Sequence, residues 1–126
     1  MRIENCDPLG YIPAMNDAGS ITVVETAEFL SAAKAILDES ARFELLSFLS
    51  SNPEAGDIIR GTGGVRKLRW ALKGRGKSGG ARIIYYYHNR NMPLFIFTAY
   101  AKNRQDDLDE ATKKELKKIV AALSKT

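Results

Sequence analysis

The sequence has little of the chemistry that metal sites and secreted proteins commonly use. Its 126 residues include one cysteine, Cys6, and one histidine, His88. A single cysteine cannot form an internal disulfide, and these two residues cannot supply the Cys/His cluster of a zinc site. No stretch approaches the roughly 18 consecutive apolar residues of a transmembrane helix, and no signal-peptide run stands near the start. We therefore expect a cytoplasmic protein without a zinc centre.

Acidic residues are absent from the middle of the chain. Residues 58–105 contain eleven lysines and arginines and no aspartate or glutamate, whereas the whole protein has a net charge of +4. The other residues therefore sum to −7, from eight basic and fifteen acidic side chains. Such segregation favours a polyanionic partner, most plausibly a nucleic acid, over a merely well-solvated hairpin.

The hydrophobic pattern predicts one small α+β domain over residues 21–126, after a flexible tail over residues 1–20 that lacks periodicity. A β-branched run predicts a first strand at Ile21–Val24. Two helices follow, and Thr26 and Asp38 are suitable N-cap residues for them. Three strands and a last helix, capped near Asp109 and followed by an apolar stripe, complete a β-α-α-β-β-β-α order.

The three later strands are expected to form a small antiparallel sheet with a basic face. In the first of them Leu68 and Trp70 share the face that we expect to meet the helices, which leaves Lys67 and Arg69 on an open face. The third strand, "PLFIFTAY", is apolar on both faces and is therefore predicted to be central.

Three other patterns favour structural interpretations. The spacing of "GRGKSG" is that of a nucleotide-binding loop, but such loops lead into a helix and this one leads into a strand. His88 stands where a strand meets a turn and has no nucleophile motif beside it. Carboxylates before the last helix favour the positive end of its dipole over a metal site; they are Asp106, Asp107, Asp109 and Glu110.

Four basic residues form the strongest candidate site, namely Lys67, Arg69, Arg82 and Lys102. If the three strands pair as consecutive hairpins, these side chains converge at one end of the open face. Cleavage of RNA by its own 2′-hydroxyl needs charge stabilisation and proton transfers, which such side chains can supply. Around them we predict RNA contacts from the glycine-rich hairpin and from neighbouring strands, by Arg66, Lys73, Arg75, Lys77, Tyr86 and Tyr100.

The segment "NPEAGDIIRGTGGVRKLRWALKGRGKSGGARIIYYYH" and the later "IFTAYAKNRQDDL" resemble the RelE/ParE toxin superfamily, and specifically its RelE-like HigB branch. The resemblance runs from about Ile21 to Leu123. It implies a RelE-like fold and a type II toxin that cleaves messenger RNA in the ribosomal A site without metal or cofactor. It also implies an antitoxin, usually with a helix-turn-helix domain, through which alone operator DNA is contacted.

The resemblance also implies roles for individual residues. Lys67 and Arg69 match the family's two basic residues for proton transfer and phosphate contact, and Arg82 matches the arginine that stabilises the transition state. Lys102 stands beside the position of a second family arginine, where this chain has Asn103. The family's C-terminal tyrosine is missing, since its position falls near Asp109. The general base therefore stays open between Tyr100 and Lys77.

Two other functions fit the same fold. A ParE-like toxin inhibits DNA gyrase by protein contact and cleaves nothing, and a noncatalytic module binds RNA without cutting it. The clustering of the four basic residues favours the nuclease.

Overall fold

The described part of the chain folds as helices packed on one sheet. In the computed structural model, which describes residues 21–72, 80–102 and 108–124, the predicted α+β class is confirmed. The predicted tail and the glycine-rich hairpin lie outside the described residues. The elements are β1 (Val23–Glu25), α1 (Ala27–Lys34), α2 (Glu39–Ser51), β2 (Asp57–Ile58), β3 (Val65–Trp70), β4 (Ala81–Tyr86), β5 (Leu94–Ala101) and α3 (Glu110–Ser124).

The predicted caps of the first two helices are confirmed. The Thr26 hydroxyl accepts a hydrogen bond from the Phe29 amide at 3.2 Å and lies 2.8 Å from the Ile96 carbonyl oxygen, to which it donates. One side chain therefore both starts α1 and fastens it to β5. The Asp38 carboxylate accepts from the Ala41 amide at 2.7 Å and starts α2 in the same way.

The predicted antiparallel pairing of the three later strands is confirmed, and β1 makes the sheet mixed, which was not predicted. Its strand order is β1-β5-β4-β3-β2, and β1 pairs in parallel with β5 while all other pairs are antiparallel. The helices between β1 and the later strands provide the crossover that a parallel pair requires. The pairing of β1 with β5 makes β5 an internal strand, but the middle strand of the five is β4, not β5 as predicted. All six residues of β4 are buried.

Helices cover both faces of the sheet. On one face, α1 and α2 pack Phe29 and Leu45 against strand residues such as Leu68, Ile83 and Tyr85. On the other face, α3 packs against a second cluster, which corrects the expectation that this face is open. The second cluster contains Val65, Ile84, Tyr86, Leu116 and Val120.

Replacement of Asp109 by asparagine should change the acid sensitivity of the fold. The Asp109 carboxylate accepts hydrogen bonds from the Thr112 side chain and from the Thr112 amide, the latter at 2.8 Å, and these bonds lower the pKa of Asp109 below its ordinary 3.8. A lowered pKa stabilises the folded state above pH 3.8, and that contribution is lost as pH falls through the lowered value. We therefore expect any stability advantage of the wild type over Asp109→Asn to shrink in acid.

Urea unfolding of both proteins from neutral pH down to about pH 2 measures this change. Glu115→Gln, which removes an exposed carboxylate from the same helix, is the control and should not reproduce it. A wild-type advantage that is constant across this pH range contradicts the assignment of the cap.

Candidate active site

Three neighbouring strands place the candidate residues in adjacent rows. Arg69 in β3 is paired with Arg82 in β4, and Arg82 is paired with Tyr100 in β5. Side chains paired directly across antiparallel strands have Cβ atoms about 4.5–5.5 Å apart. We call Arg69, Arg82 and Tyr100 the arginine row.

Two lysines flank the arginine row. Lys67 belongs to the next row, opposite Ile84. On the other side, the Lys102 amide donates to the Gly80 carbonyl at 2.9 Å and extends the pairing of β4 and β5 by one step. Strand alternation puts both lysines on the face of the arginine row. The structure therefore brings together all four residues that the sequence singled out as catalytic.

Arg82 differs from its neighbours in burial. Its side chain is 8% exposed, whereas Arg69 and Lys102 are exposed and Lys67 is half-buried. Its Nη1 donates to the Ala81 carbonyl at 3.3 Å. Within the described part of the chain no carboxylate pairs with Arg82. A buried guanidinium is a positioned donor whose charge is strong because little water screens it.

Arg66 lies apart from these rows. It pairs with Tyr85, and its Nη1 donates to the Gly56 carbonyl at 2.7 Å and to the Glu54 carbonyl at 3.2 Å. The Tyr85 hydroxyl holds the same turn, since it accepts from the Gly56 amide at 2.8 Å and donates to the Pro53 carbonyl at 2.9 Å. The placement of Arg66 supports a structural role, and we leave it out of the RNA-contacting set.

Tyr86 is also placed where RNA cannot reach it. It shares the face of Arg82, but it is 4% exposed beneath α3. Burial raises the pKa of Tyr86 above its ordinary 10.0, against an opposing hydrogen bond with Ser124. The Tyr86 hydroxyl and His88 Nδ1 are 3.1 Å apart, and the two rings are stacked. Stacking of an RNA base on Tyr86 would require α3 to move, so we leave it out as well.

Other predicted site residues lie outside the described residues. These are the hairpin residues Lys73, Arg75 and Lys77.

For the residues that are described, no group of three His, Cys, Asp or Glu side chains is arranged to hold a metal ion. Asp109 caps α3, in agreement with its predicted structural role. No helix in the described segments is long and apolar enough to span a membrane.

Known proteins are similar to this chain in sequence and in fold. A family model described as the RelE toxin of the RelE/RelB toxin–antitoxin system matches residues 51–126, the segment that contains all four basic residues. A solved structure of the E. coli toxin RelE, a double arginine-to-alanine mutant in the free state, matches with a TM-score of 0.52 and 19% identity. The match covers 75% of this chain and 97% of that one.

The fold and the family match together define a toxin of a toxin–antitoxin system. The chain belongs to the RelE toxin family. This confirms the resemblance at the level of the family and implies a cognate antitoxin as a partner, while the HigB branch stays a prediction.

Proposed function

We propose that the protein is a ribosome-dependent endoribonuclease that cleaves messenger RNA in the ribosomal A site and so inhibits translation. The observation that carries the proposal is the arginine row, flanked by Lys67 and Lys102, in a member of the RelE toxin family. Cationic side chains at these positions suit a phosphodiester substrate. In this scheme they supply the stabilising charge, and no metal ion is required.

Arg82 has the geometry of a transition-state stabiliser. In RNA cleavage the 2′-oxygen attacks the phosphorus, the bond from phosphorus to the 5′-oxygen breaks, and negative charge grows on the remaining phosphate oxygens. A donor that is already positioned for this charge is worth roughly 10²–10³ in rate. The burial of Arg82 fixes its side chain beside the exposed Arg69, which contacts the same phosphate.

Lys67 and Tyr100 are the candidates for the two proton transfers. One group takes the proton of the 2′-hydroxyl, and the other gives a proton to the departing 5′-oxygen, so that the products are a 2′,3′-cyclic phosphate and a 5′-hydroxyl. Lys67 is half-buried one row away from the arginine row. Tyr100 lies in the row but is 9% exposed, so its hydroxyl can act on RNA only if the residues that cover it shift. Lys77 stays an alternative base in the undescribed hairpin. Lys102, Lys73 and Arg75 complete the proposed phosphate contacts.

Primer extension on a defined messenger in a reconstituted translation reaction tests the proposal. Cuts within A-site codons are expected with the wild type and ribosomes, and none are expected without ribosomes. A messenger with a single 2′-deoxynucleotide at the cut position should stay intact there because the nucleophile is missing. The matched control carries the 2′-deoxynucleotide one codon away and should still be cut.

One outcome rejects the nuclease, and another rejects its proposed mechanism. A messenger that stays intact while translation is inhibited excludes it, and loss of supercoiling by DNA gyrase would then identify a ParE-like inhibitor. Cleavage of the 2′-deoxy messenger at the substituted position excludes attack by the 2′-hydroxyl.

A further inference from the structure

Helix α3 presents a basic surface that the charge pattern of residues 58–105 did not reveal. Its exposed residues Lys114, Lys117 and Lys118 lie on one side of the helix, because positions three and four apart are neighbours on a helical surface. Its buried residues, Leu116 and Val120, point to the sheet. We call the three exposed lysines the lysine ridge.

The charge of the lysine ridge is not neutralised by its own helix. Residues 110–124 contain four lysines and two glutamates, which gives a charge of +2. Glu110 pairs with the fourth lysine, Lys113, at 3.6 Å. Over the segments that the structure describes, the ridge lysines form no ion pair. Like charges three or four residues apart destabilise a helix, so these lysines lower the stability of α3.

The lysine ridge lies on the same side of the molecule as the arginine row. Helix α3 packs on Val65 in β3, and Arg69 follows on the same face about 13 Å further along the strand. The stem of Lys117 passes close to the turn before β3, where a Cβ atom on Gly63 would lie 3.8 Å from Lys117 Cγ. The exposed Arg60 precedes the same turn.

We propose that the lysine ridge is a second phosphate-binding surface, which contacts a folded RNA whose cleaved strand lies at the arginine row. This inference rests on the proposed function and adds a surface, remote from the arginine row, through which folded RNA is bound. A short single strand that fills the arginine row has no need of a basic surface beyond it. A folded RNA presents phosphates on several sides, and lysines bind them without sequence preference.

The composition of the lysine ridge favours RNA over a protein partner. Lysine is depleted in protein–protein interfaces, which are anchored by aromatic and other apolar side chains. The ridge has none of these among its own members. The large exposed apolar residue of α3, Ile119, lies instead beside a cleft that it shares with Glu28 and Glu115.

The test compares Lys114→Gln/Lys118→Gln with the matched control Lys34→Gln/Arg90→Gln, which also removes two exposed charges. Binding to purified ribosomes and to a short unstructured RNA oligonucleotide is measured across a salt series. For ribosomes, loss of two phosphate contacts should reduce the slope of log K against log salt by about 2 and weaken binding by about tenfold or more. Binding to the oligonucleotide and kcat at saturating ribosomes should not change.

Several outcomes overturn the inference. These are unchanged ribosome binding by the ridge variant, an equal loss in the control, a loss shared by the oligonucleotide, or a wild type that does not bind ribosomes. If the ridge variant binds the antitoxin more weakly but binds ribosomes as the wild type does, the ridge is instead a contact surface for the antitoxin. If the wild type binds ribosomes through the ridge but cleaves nothing, the proposed function fails and the inference stands.

Discussion

Arg82→Ala is expected to lower kcat for messenger cleavage by about 10²–10³-fold, with little change in ribosome affinity. The guanidinium of Arg82 is buried within the arginine row, so its contribution is to the charge that develops on the phosphate. Exposed cations such as Arg69 and Lys102 can hold the bound RNA in its absence. Single-turnover primer extension at saturating ribosomes measures the chemical step directly.

Two variants make the Arg82 result specific. Arg82→Lys keeps the charge but loses the planar fork of donors, so we expect it to recover only part of the rate. Arg90→Ala removes an exposed arginine from a turn and should cleave like the wild type. Thermal unfolding verifies that each variant is folded. Full activity of a folded Arg82→Ala protein contradicts the assigned role.

Gly56→Ala is expected to lower the free energy of unfolding by about 2–4 kcal/mol, through overpacking and the loss of a buried hydrogen bond. A Cβ atom at this position would lie 2.9 Å from the Tyr85 ring and 3.0 Å from the Lys67 carbonyl oxygen. Both neighbours are held in the sheet and cannot move away cheaply. The same change displaces the Tyr85 hydroxyl from the Gly56 amide. Urea unfolding measures the loss.

Two comparisons separate the causes of the Gly56 effect. Tyr85→Phe removes the hydroxyl without any clash and should cost about 1–3 kcal/mol for the groups left unpaired. Gly61→Ala has no atom within 4 Å of the new Cβ, but its φ of +85° is unfavourable for alanine and should cost about 1–2 kcal/mol. Gly56→Ala should exceed both. A smaller loss than in Gly61→Ala contradicts the steric account.

Local features of the fold could be predicted from the sequence because their causes are local. Thr26, Asp38 and Asp109 each bond to an amide three residues further on, so a short stretch of sequence contains the whole interaction. The parallel pairing of β1 with β5 was missed because strands so distant in sequence leave no shared pattern. The strand β2 was missed because two residues are too few to show a period.

In the candidate site, too, features with local causes could be predicted and features that depend on distant parts of the chain could not. Alternation along β3 predicted that Lys67 and Arg69 share a face, and pairing with β4 brings Arg82 to them. Burial could not be predicted, because it depends on which element covers each row. The apolar stripe of α3 was visible in the sequence, but not the part of the sheet that it covers, and Tyr86 therefore looked available to RNA.

The hydroxyl of Thr26 has a consequence for the order in which the chain acquires its structure. Its bond to Ile96 spans 70 residues, and β1 pairs with the same strand. During synthesis, β1 and the start of α1 therefore have no partner strand until β5 has left the ribosome. The β3–β4 and β4–β5 hairpins close over shorter distances, and contacts between distant residues form more slowly. We therefore expect β3, β4 and β5 to pair first and the N-terminal strand to join the sheet last.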